Sequence, residues 1–268
     1  MILPRLVAKI EQEEPTLRLA VLIDADNAQA AIIENLLAEI ARFGEATVKR
    51  IYGDFTSQSS SLWKKVLQKY AIKPVQQFVY TTGKNATDST MIIDAMDLLY
   101  TRKFDGFCLV TSDSDFTGLA MRLREEGIMV FGFGESKTPE AFRNACHKFV
   151  LTELLRPTVE SASEVTSLQA DIEPKSTVAQ VIIPTPAPCV EFPTQFLLSA
   201  LEQSLDDSGW ANLGTFGSYL IKLQPDFDSR LFGYKKLSDL VKAKTDLFAV
   251  EERQVEGSNN KSLYIRVN

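Results

Sequence analysis

Between residues 17 and 155, short apolar runs alternate with amphipathic segments, and this alternation restricts the fold of the 268-residue chain more than any other feature. LRLAVLI (17–23) is a nearly continuous apolar run of the kind buried on both faces of a sheet. AAIIENLLAEIARF (30–43) places Ile33, Leu36, Leu37 and Ile40 on one side of a helix. ATVKRIYG (46–53), KPVQQFVY (73–80), DGFCLVT (105–111) and IMVFGFG (128–134) read as further strands. SLWKKVLQKY (61–70), TDSTMIIDAMDLLY (87–100), FTGLAMRLREEG (116–127) and TPEAFRNAC (138–146) read as the helices between them. A glycine closes the 116–127 helix, and a proline stands near the start of the last one, where helix N-termini favour it. Such alternation predicts an α/β domain over residues 1–156 with a mostly parallel sheet.

The pattern stops at residue 157. Residues 157–192 are rich in Pro, Ser, Thr and acids and lack a helical period, so a flexible linker is expected. Residues 193–268 resume with three helical stretches, PTQFLLSALEQSLDDSG, ANLGTFGSYLIKL and GYKKLSDLVKAK. LFAVEE and SLYIRV then read as two strands joined through the polar RQVEGSNNK. Three helices and a terminal hairpin describe a small winged-helix domain.

Composition removes several chemistries. The net charge of −6 opposes bulk attraction to nucleic acid, although a local basic patch is compatible with it. Cys108, Cys146 and Cys189 are far apart and odd in number, with neither metal-ligand spacing nor a disulfide framework, as expected in a reducing cytoplasm. The start, MILPRLVAKIEQEEP, interrupts its apolar residues with Arg5 and Lys9, unlike a signal peptide. No run approaches the roughly 20 apolar residues of a membrane span. His147 is the single histidine, which disfavours serine–histidine or cysteine–histidine nucleophiles and histidine-rich zinc sites. Chemistry, if any, falls to carboxylates.

Those carboxylates gather where such a sheet binds ligands, outside the carboxyl ends of its strands. The first strand ends in Ile23-Asp24-Ala25-Asp26-Asn27, and the 105–111 strand runs into Thr111-Ser112-Asp113-Ser114-Asp115. The TTGKNATDST loop delivers Asp88 at a helix start. Any one of these acids could be a turn or helix cap. Four at one rim raise one another's pKa unless a cation compensates, and oxygen-only ligands point to Mg²⁺ or Mn²⁺. Asn27 could cap a helix or be a polar group that positions substrate or metal-bound water. Asp94, six residues beyond Asp88 on a helix, points about 120° away. Lys84, in the same loop as Asp88, could hold a substrate phosphate, but its lone glycine is far from a P-loop.

LIDADN, GKNATDSTMIIDAMDLL and FCLVTSDSDFTGLAMRLREEGIMVFGFG together resemble the NYN branch of the PIN-like ribonucleases. The resemblance covers roughly residues 17 to 155 and implies a Rossmann-like, PIN-like sheet and a metal-dependent endonuclease acting on RNA. It matches Asp24, Asp88, Asp113 and Asp115 to metal-binding acids and Asn27 to a polar active-site residue. Asp94 matches a further acid of uncertain role. WANLGTFGSYLIKLQPDFDSRLFGYKKLSDLVKAKTDLFAVEE resembles the LOTUS, or OST-HTH, domain, which implies binding of single-stranded RNA or docking of a protein partner. Between residues 222 and 244, Lys222, Arg230, Lys235, Lys236, Lys242 and Lys244 exceed Asp226, Asp228 and Asp239 by three charges, and Lys235 and Lys236 are the expected phosphate contacts. Trp210 is expected in the core of this domain. Two other readings stand beside the nuclease. One is a non-catalytic RNA-binding adaptor. The other is a phosphatase similar to the haloacid dehalogenases, from whose DxDG[TV] pattern DADNAQ departs.

Overall fold

The computed structural model describes residues 16–56, 61–78, 86–157, 192–254 and 261–268. Strands β1 (Arg18–Asp24), β2 (Glu45–Gly53), β3 (Lys73–Gln76), β4 (Gly106–Val110), β5 (Met129–Gly134) and β6 (Lys148–Leu151) form one sheet in the order β3-β2-β1-β4-β5-β6. Every pairing in it is parallel. The connections carry α1 (Ile33–Ile40), α2 (Ser61–Tyr70), α3 (Ala86–Tyr100), α4 (Thr117–Glu125) and α5 (Glu140–Ala145).

Period-two alternation divides β1 between two cores. Ala20 and Leu22 join Met91, Ala95, Phe116, Leu119 and Leu123 on the side of α3 and α4. Leu19, Val21 and Ile23 join Ile33, Leu36, Ile40 and Trp63 on the side of α1 and α2. Helices on both faces explain why the strand is apolar at nearly every position. Gly127, at φ +76°, closes α4 as the sequence predicts, because the Ile128 N–H donates back to Leu123 C=O. The expected 73–80 strand ends at Gln76, whose side-chain amide turns onto Asp54 and the Phe55 N–H. Residues 79 and 80 lie outside the described residues.

The strand order reverses between β1 and β4. Chain leaving β1 turns toward α1 on one face, and chain leaving β4 turns toward α4 on the other. A crevice therefore opens at their carboxyl ends, where backbone groups are not consumed by pairing.

The C-terminal module comprises α6 (Thr194–Glu202), β7 (Ala211–Asn212), α7 (Leu213–Leu223), α8 (Leu237–Ala243), β8 (Phe248–Gln254) and β9 (Lys261–Val267). Its antiparallel sheet runs β7-β9-β8, the short β7 being absent from the sequence expectation. Leu201, Phe216, Leu220, Leu240, Phe248 and Ile265 fill its core. Trp210 departs from expectation. It is half-buried, with the Arg253 and Arg266 guanidiniums 5.0 and 4.8 Å from its ring.

The module is seated against the amino ends of β5 and β6. Its Pro225–Arg230 segment makes most of the contact. Phe149 N–H, on the edge strand β6, donates to Pro225 C=O (2.9 Å), so an edge that would otherwise offer an open donor is covered. Lys148 Nζ donates to Phe227 C=O (2.8 Å). Arg143 pairs with Asp226. Arg230 engages both oxygens of Glu39 on α1 (2.9 and 3.2 Å) while gripping Asp228 beside it (2.7 Å). Of the six cations expected on a phosphate-facing side, Arg230 is thus spent inside the molecule, and Lys242 pairs with Glu252.

Candidate metal centre

Asp24 is the last residue of β1 and is fully buried. Its Oδ1 accepts from Asp26 N–H (3.0 Å), and its Oδ2 accepts from Asn27 Nδ2 (2.7 Å) and Thr111 Oγ1 (3.0 Å). Burial raises its pKa, and the bonds from Asn27, Asp26 and Thr111 oppose the rise. The turn itself is held by Ala28 N–H donating to Asp24 C=O. Buried this way, Asp24 does not present itself to solvent as the nucleophile of a phosphatase would. Oδ1, accepting a single bond, keeps acceptor capacity.

One strand over, Thr111 follows β4 and links two acids. Its hydroxyl donates to Asp24 Oδ2 and accepts from Asp113 N–H (3.1 Å). Asp113 in turn caps the short turn after it, Oδ1 accepting from Asp115 N–H (2.9 Å). The capping role considered from sequence is therefore real for Asp113. Nothing in the sequence singles out Thr111, because threonine at a strand end serves many purposes.

Asp88 enters from the first turn of α3. Asp88, Asp113 and Asp115 each offer a carboxylate oxygen within 4.8 Å of the other two, the first two half-buried and the third exposed. Burial, then the negative charges of Asp24, Asp113, Asp115 and Asp26, pushes Asp88 up to about 6. After burial, the unrelieved negative charge of these neighbours adds to that rise. An all-oxygen set at this spacing fits a hard divalent ion such as Mg²⁺ or Mn²⁺, which would relieve it.

Of the other predicted positions, Asn27 is bonded to Asp24. Asp94 is turned to β2, where it pairs with Arg50 and accepts from the buried Tyr52 hydroxyl, and it is not part of the acidic group. Lys84 lies outside the described residues. Lys235 and Lys236 line a cleft with Met129 and Lys148, at the opposite end of the sheet from the acids. His147 Nδ1 accepts from Val130 N–H (3.0 Å), so the ring carries its proton on Nε2, and burial lowers its pKa. Cys108 and Cys146 are buried free thiols, and burial pushes Cys146 up to about 12.

The NYN domain profile matches residues 18–154. The chain belongs to the NYN family. The OST-HTH/LOTUS domain profile matches residues 190–259 of this NYN protein. Among solved structures, an uncharacterized protein from Nitrosomonas europaea is 63% identical over 36% of this chain and 92% of its own, with a TM-score of 0.29. A protein from Chromobacterium violaceum is 36% identical over 31% of this chain and 87% of its own (TM-score 0.24). A protein of unknown function from Vibrio parahaemolyticus is 17% identical over 52% of this chain and 95% of its own (TM-score 0.44). No curated protein matches the chain. Among the described residues, no helix is long and apolar enough to cross a membrane.

Two predictions arise from this geometry in the NYN domain. The Thr111 hydroxyl serves two acids at once, and Thr111→Val keeps its shape while leaving Asp113 N–H and one Asp24 bond unmade. The expected cost is about 1–3 kcal/mol, read by urea unfolding. A loss below about 0.5 kcal/mol on that scale would mean that water replaces the hydroxyl freely.

The second concerns pH. The folded pKa of Asp88 is about 6, against an ordinary 3.8. The folded state therefore holds its proton more tightly, and the resulting stability is fully present below about pH 4 and lost as pH rises through about 6. In EDTA, Tm of the wild type is expected to fall across this window more steeply than that of Asp88→Asn. Identical slopes would place the unrelieved charge elsewhere.

Proposed function

We propose that the chain is a cytoplasmic ribonuclease dependent on Mg²⁺ or Mn²⁺, cutting single-stranded RNA internally, with a C-terminal module that contacts the RNA. The observation that carries this reading is the convergence of Asp88, Asp113 and Asp115 within 4.8 Å at the crevice between β1 and β4. Asp88, Asp113 and Asp115 are the residues to hold the ion, with Asp24 beneath them as the fourth carboxylate. An ion bound there supplies a lowered pKa to a water ligand and offsets charge developing on the phosphoryl oxygens.

The chain's own groups do the positioning. Thr111 ties the Asp24 carboxylate to the Asp113 backbone, and Asn27 donates to the same Asp24 oxygen as Thr111. Asp113 fixes the Asp115 backbone, so the two acids one residue apart share one rigid turn. Such preorganisation lowers the reorganisation needed as charge builds on the phosphate. Asp94, held by Arg50 and Tyr52, secures α3 to β2 and so sets where Asp88 projects. It acts on the site through the helix rather than by touching substrate.

The test incubates the purified full chain with labelled single-stranded RNA and Mg²⁺, Mn²⁺ or EDTA. Metal-dependent appearance of internal fragments supports the reading. RNA that binds but stays intact with every metal would make the chain a non-catalytic RNA-binding protein.

A further inference from the structure

The seating of the C-terminal module creates a cleft that neither domain has alone, and we infer that this cleft binds a nucleoside phosphate, base on its aromatic floor and phosphate at its lysine rim. The inference rests on the reading of the chain as an RNA-handling protein and assigns a second contact point for the nucleotide strand. The cleft has a volume of about 530 Å³ and lies between the domains, within the size range and location of sites for small ligands.

Three features of its lining identify the occupant. The half-buried Phe43 lines it, backed by the buried Phe131 ring stacked at 4.6 Å between centroids, with Ile221 on the module side. A flat aromatic base suits such a floor. The acids of the cleft are already spent. Glu39 is engaged by Arg230 and Arg42, and Asp228 by Arg230. Lys235 and Lys236, both exposed, pair with no carboxylate among the described residues. Their charges are thus available to an anion. Finally, His147 lines the cleft as a neutral ring whose Nδ1 is occupied, which leaves Nε2–H as a donor suited to a phosphate oxygen or a base carbonyl.

The cleft is a built feature rather than slack between modules. Lys148, bonded to Phe227 C=O, and the Arg230–Glu39 pair fix its walls. It opens at the amino ends of β5 and β6, and the acids stand at the carboxyl ends of the neighbouring strands. The six residues of β5 at ~3.3 Å each separate the two by roughly 20 Å. A nucleotide held here would leave the acidic crevice open to a distant bond of the same strand.

The test uses the full chain in EDTA, which removes metal-carried binding at the acids. Adenosine 5′-monophosphate and inorganic phosphate are titrated separately, each also as competitor of a short labelled single-stranded RNA. The nucleotide is expected to bind, and phosphate alone at least ~10-fold more weakly. Lys235→Ala with Lys236→Ala should weaken nucleotide binding about tenfold, through lost charge-assisted contacts. Ile221→Trp should block it by filling the cleft, with Tm of both variants near wild type. If both variants lose affinity for the labelled RNA alone, the occupant is a nucleotide within a strand, and the site stands. Nucleotide and RNA binding unchanged in both variants overturns it. Cleavage is scored on the same proteins with metal present. Cleavage without cleft binding refutes this inference alone, and cleft binding without cleavage refutes the nuclease reading alone.

Discussion

Asp113→Asn in the full chain is expected to lower metal-dependent RNA cleavage by at least ~100-fold, more than the loss usual for a group that only supports a metal ligand. The fold should not suffer. The amide introduced by the substitution keeps a side-chain oxygen able to accept from Asp115 N–H, the bond that holds the turn. Removing one of several crowded negative charges also relieves the repulsion that raises Asp88. Tm in EDTA is therefore expected to equal or exceed that of the wild type, while the rise in Tm produced by Mg²⁺ or Mn²⁺ shrinks. Asp88→Asn should behave alike. This opposition of signs, more stable without metal and less responsive to it, separates lost chemistry from lost folding. A variant that keeps wild-type cleavage at saturating metal would remove Asp113 from the site.

The second large effect lies at the far end of the sheet. Among the described residues, Arg230 alone bonds both Glu39 and Asp228 at the seam between the domains, Glu39 being almost fully buried, and Arg230→Glu reverses its charge. Breaking such a pair by removing one partner costs about 3–5 kcal/mol, because the remaining charge stays desolvated. The protein can avoid that cost by releasing the module. The expected result is a larger maximum dimension in small-angle scattering, with loss of exchange protection at Phe149 N–H, whose acceptor is Pro225 C=O. A compact particle with a protected Phe149 amide would show that Lys148 and Arg143 hold the module without Arg230. Glu39→Gln together with Arg230→Met removes both charges, and its loss should be smaller than that of Arg230→Glu.

How much of this was legible in the sequence follows from the range of each interaction. The alternation of LRLAVLI, KRIYG, FCLV and MVFGFG with amphipathic segments determined the parallel sheet, because burial on both faces demands continuous apolar strands and the crossovers demand helices. Acids just past two strand ends and at one helix start were equally legible, since the switch point of such a sheet is the same in any chain that builds it. Strand ends were less secure. β3 ends at Gln76, whose side-chain amide bonds Asp54 and Phe55, partners that only the folded chain supplies.

The role of an individual polar residue was the least legible quantity. Thr111 gives no signal as a residue, yet its hydroxyl joins Asp24 on one strand to Asp113 after the next. Asp94 looks like its neighbouring acids until Arg50 and Tyr52 are brought beneath it. Arg230 counts as one more cation of a basic stretch until Glu39, 191 positions away, is buried against it. Trp210 reads as core and is instead a ring flanked by two arginines. The sequence by itself determined the two domains, the layer architecture and the rim where the acids meet, since these follow from local periodicity and a general rule of sheet topology. Only the tertiary structure decided which carboxylates converge, which are neutralised, and that the C-terminal module sits at the opposite end of the sheet from them. Hydrogen bonds and ion pairs act over about 3–4 Å between residues far apart in the chain, and no pattern along the chain encodes those distances.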